Sequence, residues 1–206
     1  MCWRNKKFAY DALIPPFDKP FENFTPDEAK KYFEWFTDQL NSRVEYLRSY
    51  SNIDLDYSVS SLVDVWDWFL NNAKIEKTPK SRLKQLDLEL KNLPNEIRGE
   101  VLKEQSEQFT LETECIMLDI AMYFGEVYVR NNNSITWGYH TDIHLDFFAN
   151  MPLLVGFEDR DFTPPFKAHF ELSFTVKGLA YNIMDNDAKK EDLLEMYNKW
   201  QRMVFN

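Results

Sequence analysis

Apolar residues recur along the chain with two different periods, and the switch between them organises the molecule. From Ala29 onward the apolar positions are Tyr32, Phe33, Phe36, Leu40, Val44, Leu47 and Tyr50. Spacings of three and four predict an amphipathic helix over about 26–49. Thr25-Pro26-Asp27-Glu28 opens it as a capping box with Pro at the first helical position. After the short alternating segment Ile53-Asp54-Leu55-Asp56-Tyr57, Leu62, Val65, Trp66, Phe69 and Leu70 mark a second helix, with Trp68 nearby. Ser58 or Ser61 can cap it. Thr78-Pro79 opens a third helix to about Leu90, with Leu83, Leu86 and Leu90 predicted inward. Pro94 separates it from a charged surface helix near 95–107. Thr110 then caps the most apolar helix, predicted over 111–130. Its residues Leu111, Cys115, Ile116, Leu118, Ile120, Ala121, Phe124 and Val127 cover most of the circumference, which predicts a central position. Gly125 inside it costs about 1 kcal/mol relative to Ala, so another element is expected to cross closely there.

Beyond the turn cluster Asn131-Asn132-Asn133-Ser134 the period becomes two. Ile135 to Phe148 is predicted as one or two strands, and Pro152 to Phe157 as another. From Phe166 to Lys177 apolar and polar residues alternate, which predicts a half-buried strand. Thr163-Pro164-Pro165 would also suit a helix start. A last helix is predicted from about Asp187, lined by Leu193, Met196, Tyr197, Trp200 and Val204. Helices come first, then strands, then one helix. That segregation predicts an α+β fold: N-terminal helices, a central buried helix, a small antiparallel sheet and a C-terminal helix. Residues 1–24 have no period. They carry Pro15, Pro16 and Pro20 between Phe8, Phe17, Phe21 and Phe24, and read as a Pro/aromatic arm packed on the body. Residues 25–206 read as a single α+β domain.

Composition narrows the function. The chain has 206 residues, 44% hydrophobic and 16% aromatic, which argues against disorder. With 34 acidic and 24 basic side chains its formal net charge is −10. That charge argues against a nucleic-acid partner, because phosphate affinity comes mainly from Lys and Arg. Met1 to Lys7 is basic, but no apolar core of about 7–15 residues follows, so no signal peptide is expected. No run approaches the roughly 18 apolar residues of a membrane span, so no membrane partner is expected. Cys2 and Cys115 are far apart in sequence and do not suggest a disulfide scaffold, so a reducing cytoplasm is expected.

The sharpest chemical pattern is His140-Thr141-Asp142-Ile143-His144-Leu145-Asp146. On a strand, His140, Asp142, His144 and Asp146 would share one face. Two imidazoles and two carboxylates could hold Zn²⁺ or Fe²⁺ and activate water. The same pattern is what a sheet with one wet side produces, and that reading is preferred. Glu126 in the central helix is a weak candidate for a general acid or base. A structural pairing with an Arg or a backbone group is preferred for it. Asp54, Asp56 and Asp64 could bind a divalent cation, but helix capping explains them as well. The acid-rich Glu158-Asp159-Arg160-Asp161 and the basic cluster Lys74 to Lys84 read as solvated surface. Cys115 is expected to be buried without a His partner and is a poor nucleophile. No Gly-x-Ser-x-Gly, Gly-x-Gly-x-x-Gly or P-loop is present, and no cofactor is expected.

Two segments together carry a resemblance. Leu55-Asp56-Tyr57-Ser58 with Ser61-Leu62 and Trp66 makes an LDYS-x-x-SL…W entry into a helix. Tyr123-Phe124-Gly125-Glu126-Val127, Val129-Arg130 and Trp137 make a YFGEV-x-VR…W helix-to-strand unit. The pair resembles a loose group of small uncharacterised bacterial domains, over about 55–204. Some of that group are suspected immunity proteins, made beside a secreted toxin. The resemblance implies no catalytic residues, and it implies that 164–180 can be helical. The expectation is therefore a non-catalytic acidic module that binds a basic protein such as a toxin. The alternative is a metal-dependent hydrolase using His140, Asp142 and His144. The sequence sets neither the binding face nor the oligomeric state.

Overall fold

A computed structural model of the chain describes residues 10–142 and 147–204. Thr25 starts the first helix, α1 (Pro26–Ser51), as its pattern predicts. Its hydroxyl accepts from the Glu28 N–H while the Glu28 carboxylate accepts from the Thr25 N–H, so two otherwise orphaned donors are satisfied. Asn52 ends the helix in the left-handed region at φ 57°. The segment from Ile53 to Tyr57 is loop and not strand. Asp56 accepts from the Ser58 N–H, and Ser58 Oγ accepts from the Ser61 N–H at the start of α2 (Ser61–Asn72).

The chain then makes an excursion. Strand β1 (Ile75–Lys77) pairs antiparallel with β2 (Glu107–Phe109), in the register Ile75 to Phe109 and Lys77 to Glu107. Between them lie α3 (Lys80–Glu89) and α4 (Asn95–Glu104), which contact each other and bury no residue. Leu83, Leu86 and Leu90 are only half-buried, short of the inward packing predicted for them.

Thr110 caps α5 (Leu111–Asn131) by accepting from the Thr113 N–H. This helix is buried nearly all round, from Ile116 through Tyr128, and packs on α1 and on α6. The strands that follow are shorter than their pattern suggests. The predicted strand over 135–148 is present among the described residues only as β3 (Thr136–Gly138). It pairs antiparallel with β4 (Leu153–Asp159), which pairs antiparallel with β5 (Phe166–Phe170). Gly156 sits in the irregular stretch of β4 at φ 108°, where a Cβ would lie 2.1 Å from the Ser134 carbonyl oxygen.

The long strand predicted over 166–177 is half strand and half helix. Glu171 stops β5 by turning its carboxylate onto the N–H groups of Ser173 and Phe174, which caps α6 (Leu172–Tyr181). Leu172, Val176 and Ala180 then recur every fourth residue on its buried face. The last helix, α7 (Asp192–Gln201), packs on α2 and starts later than predicted. The core between the sheet and α5 is aromatic. Phe170 stacks on Trp200 with centroids 4.1 Å apart, and Tyr128 on Tyr197 at 4.4 Å. Phe170 and Tyr128 are fully buried, and burial of a ring such as Phe170 contributes roughly 1.5–3 kcal/mol relative to exposure. The architecture is α+β.

Candidate functional site

Sequence pattern placed four metal candidates on one strand face. Among the described residues that face carries no strand: β3 ends at Gly138, and His140 and Asp142 follow in irregular backbone. Without the pleat, alternate residues have no common face. His144 and Asp146 lie outside the described residues, as does Cys2. His140 instead meets His169 of β5, with ring centroids 5.3 Å apart. Among the described residues no group of three His, Cys, Asp or Glu side chains is arranged to hold a metal ion.

Glu126 is buried, and both of its oxygens are engaged. Trp137 Nε1 donates to Oε1 at 3.0 Å, and Arg130 Nε donates to Oε2 at 3.4 Å. The Arg130 guanidinium in turn lies 3.6 Å over the Tyr57 ring. Beside Glu126, a Cβ on Gly125 would meet the Trp137 ring at 2.1 Å and Leu172 at 2.8 Å. The close crossing expected at Gly125 is therefore Trp137, and Glu126 fixes that indole where the glycine admits it.

A charged cluster that the sequence reading missed lies across α1 and α5. Asp119 is fully buried. Arg43 Nε donates to it at 2.9 Å and Nη2 at 2.6 Å, and the Tyr10 hydroxyl donates to the same carboxylate. Arg43 Nη2 also holds the Asp11 carbonyl at 2.8 Å. Burial pushes the Asp119 carboxyl up, while the guanidinium and the phenol pull it back down. Two signals were present in the sequence. Arg43 lies within the apolar stripe of α1, and Asp119 within a helix apolar on nearly every side. The cluster pins the segment around Tyr10 to the body.

The other flagged residues are structural in their contacts. Cys115 is half-buried, and burial pushes its thiol up to about 11, so little thiolate exists at neutral pH. Hydrogen bonds from Ser58 hold the Asp56 carboxyl below the usual carboxylate range. Glu158 and Asp159 end β4, and Arg160 Nε lies 3.5 Å from Glu158. Lys74 pairs with Glu112 at 2.9 Å.

What stands out on the surface is α2 and its approach. Asp54, Asp56, Asp64 and Asp67 are all exposed, and no Lys or Arg occurs from Ile53 to Ala73. Asp64 and Asp67 are helical neighbours, and like charges at that spacing repel by a few tenths of a kcal/mol. Half-buried Trp68 lies one turn beyond Asp64. Among the described residues no helix is long and apolar enough to cross a membrane. No family model, no curated protein and no solved structure matches the chain.

Proposed function

We propose that this chain is a non-catalytic binding module of the immunity-protein kind, whose acidic surface docks a basic protein such as a toxin. The observation that supports this reading is α2 and its approach: exposed Asp54 and Asp56 in the preceding loop, exposed Asp64 and Asp67 on the helix, and half-buried Trp68 one turn beyond Asp64. The mutual repulsion of Asp64 and Asp67 is relieved when a cationic partner covers them. An acidic face also speeds encounter with a basic partner at low salt. Trp68 would supply the apolar anchor that charged rims need for residence.

The test is capture of partners on immobilised protein from its own cell extract, at low and at high salt. The expected result is a basic protein enriched at low salt and depleted by Asp64→Asn/Asp67→Asn. Equal capture by wild type and the double variant would overturn the assignment to α2. The second reading, a metal-dependent hydrolase, keeps one observation in its favour, the contact of His140 with His169. Elemental analysis of the purified protein separates the two: stoichiometric zinc or iron would favour the hydrolase.

A further inference from the structure

The Trp137 ring, fixed by Glu126 and admitted by Gly125, lines a partly open cavity of about 130 Å³. Phe36 and Tyr32 of α1, Phe21 of the N-terminal segment and Leu118 and Ala121 of α5 line it too, together with Met151 and Leu172. Phe36 meets Trp137 edge-on at 5.1 Å between centroids, and Phe21 meets Tyr32 edge-on at 4.9 Å. Phe21 is held in place from behind, because Asn150 Nδ2 donates to its carbonyl at 2.9 Å.

One end of the cavity is polar. Ser173 lines it, with its hydroxyl donating to Glu171. Burial and the neighbouring Glu171 carboxylate push the Tyr32 hydroxyl up to about 12, so it stays a neutral donor at physiological pH. Glu171 itself is committed to capping α6.

We propose that this cavity is a binding site for one neutral single-ring aromatic molecule, of benzene to phenol size. Three features select that class. The volume is close to that of an engineered apolar cavity of about 150 Å³ that takes benzene or xenon. Aromatic walls offer edge-to-face contacts to a guest ring. A carboxylate just behind the polar end repels an anion, while the Tyr32 and Ser173 hydroxyls can bond a phenolic group. The site is separate from α2 and does not depend on what that face binds.

The experiment titrates benzene, phenol and benzoate into the full chain, with the methyl resonances of Leu118, Met151 and Leu172 as reporters and calorimetry for stoichiometry. Benzene and phenol are expected to bind one per chain, to shift those methyls, and to raise Tm by about 3–6 °C at tenfold excess over Kd. Benzoate is expected to leave them unmoved. Ala121→Leu fills the cavity from α5 and is expected to weaken benzene at least tenfold. Ser173→Leu fills it from the rim and serves if the first variant does not fold. Absence of saturable methyl shifts in the wild type would overturn the proposal. So would benzene affinity unchanged in a folded cavity-filling variant.

Discussion

Residues 75–109 and the helix that follows them are built on opposite principles. The excursion holds two helices that bury no residue, while α5 is buried from Ile116 to Tyr128. Leu88, Leu93 and Ile97 of the excursion are exposed, at 61%, 40% and 48%. Its helices follow Pro79 and Pro94 with no side-chain cap. They rely on charged surface pairs such as Arg98 with Asp87, 3.2 Å apart. Such pairs are worth about 0–1 kcal/mol each. The helix α5 is held by packing on nearly every side, and its buried Asp119 and Glu126 are paired with Arg43 and Arg130. One chain thus contains a helix pair stabilised locally and a helix stabilised by its surroundings.

Hydrogen exchange should show the contrast at its largest. Amides of α5 are expected to exchange only through global opening, about 5–15 kcal/mol for a domain, and those of α3 and α4 through local opening of a few kcal/mol. Uniform protection across both would break the comparison. Next in size is the buried pair. Arg43→Ala or Asp119→Ala leaves an uncompensated buried charge and should cost about 3–5 kcal/mol in denaturant unfolding. Asp87→Ala in the excursion should cost at most about 1 kcal/mol.

Two glycines sharpen the contrast further. Gly125→Ala drives a methyl into Trp137 and Leu172 and should destabilise by about 1–3 kcal/mol. Gly99→Ala in α4 meets nothing within 4 Å and should stabilise that helix by up to about 1 kcal/mol. Circular dichroism melts of the two variants should move in opposite directions.

The smallest effect is electrostatic and belongs to α1, the capped helix. Hydrogen bonds from Lys19 and Thr25 hold the Glu28 carboxyl down at about 2, below its ordinary 4.5. Its contribution is therefore complete above about pH 4.5 and is lost as the pH falls towards 2. Urea midpoints measured across that window should fall more steeply for wild type than for Glu28→Gln. Helices α3 and α4 have no side-chain cap to titrate in this way.

The same contrast explains what could be read from the sequence. Where apolar spacing is imposed by a buried face, the elements were legible. Helix α1 carries its cap and stripe, α5 is apolar all round, and Gly125 announces a close neighbour. The ribbon β1–β2 was not legible, since Ile75, Glu76 and Lys77 are all exposed and carry no alternation of burial. Alternation misled at Phe166 to Lys177, because a single buried cap, Glu171, turns a strand into a helix without interrupting the period. Of the His140 to Asp146 pattern, only the first three residues are described, and they lie in irregular backbone. Alternating letters imply a common face only where the backbone is extended. The Arg43–Asp119 pair was present as two charges in apolar stripes, but their mutual contact depends on how α1 crosses α5, which no local pattern encodes.

The way the excursion leaves and rejoins the body has one more consequence. Lys74 and Thr110 are joined by a backbone hydrogen bond of 3.0 Å, so the segment departs and returns through a single gate. Its helical tip between Lys77 and Glu107 can be replaced by a tight turn across the ribbon, which keeps Phe109 in the core and leaves α2 and α5 in place. Length changes, and foreign sequences grafted for labelling or display, have their natural port there.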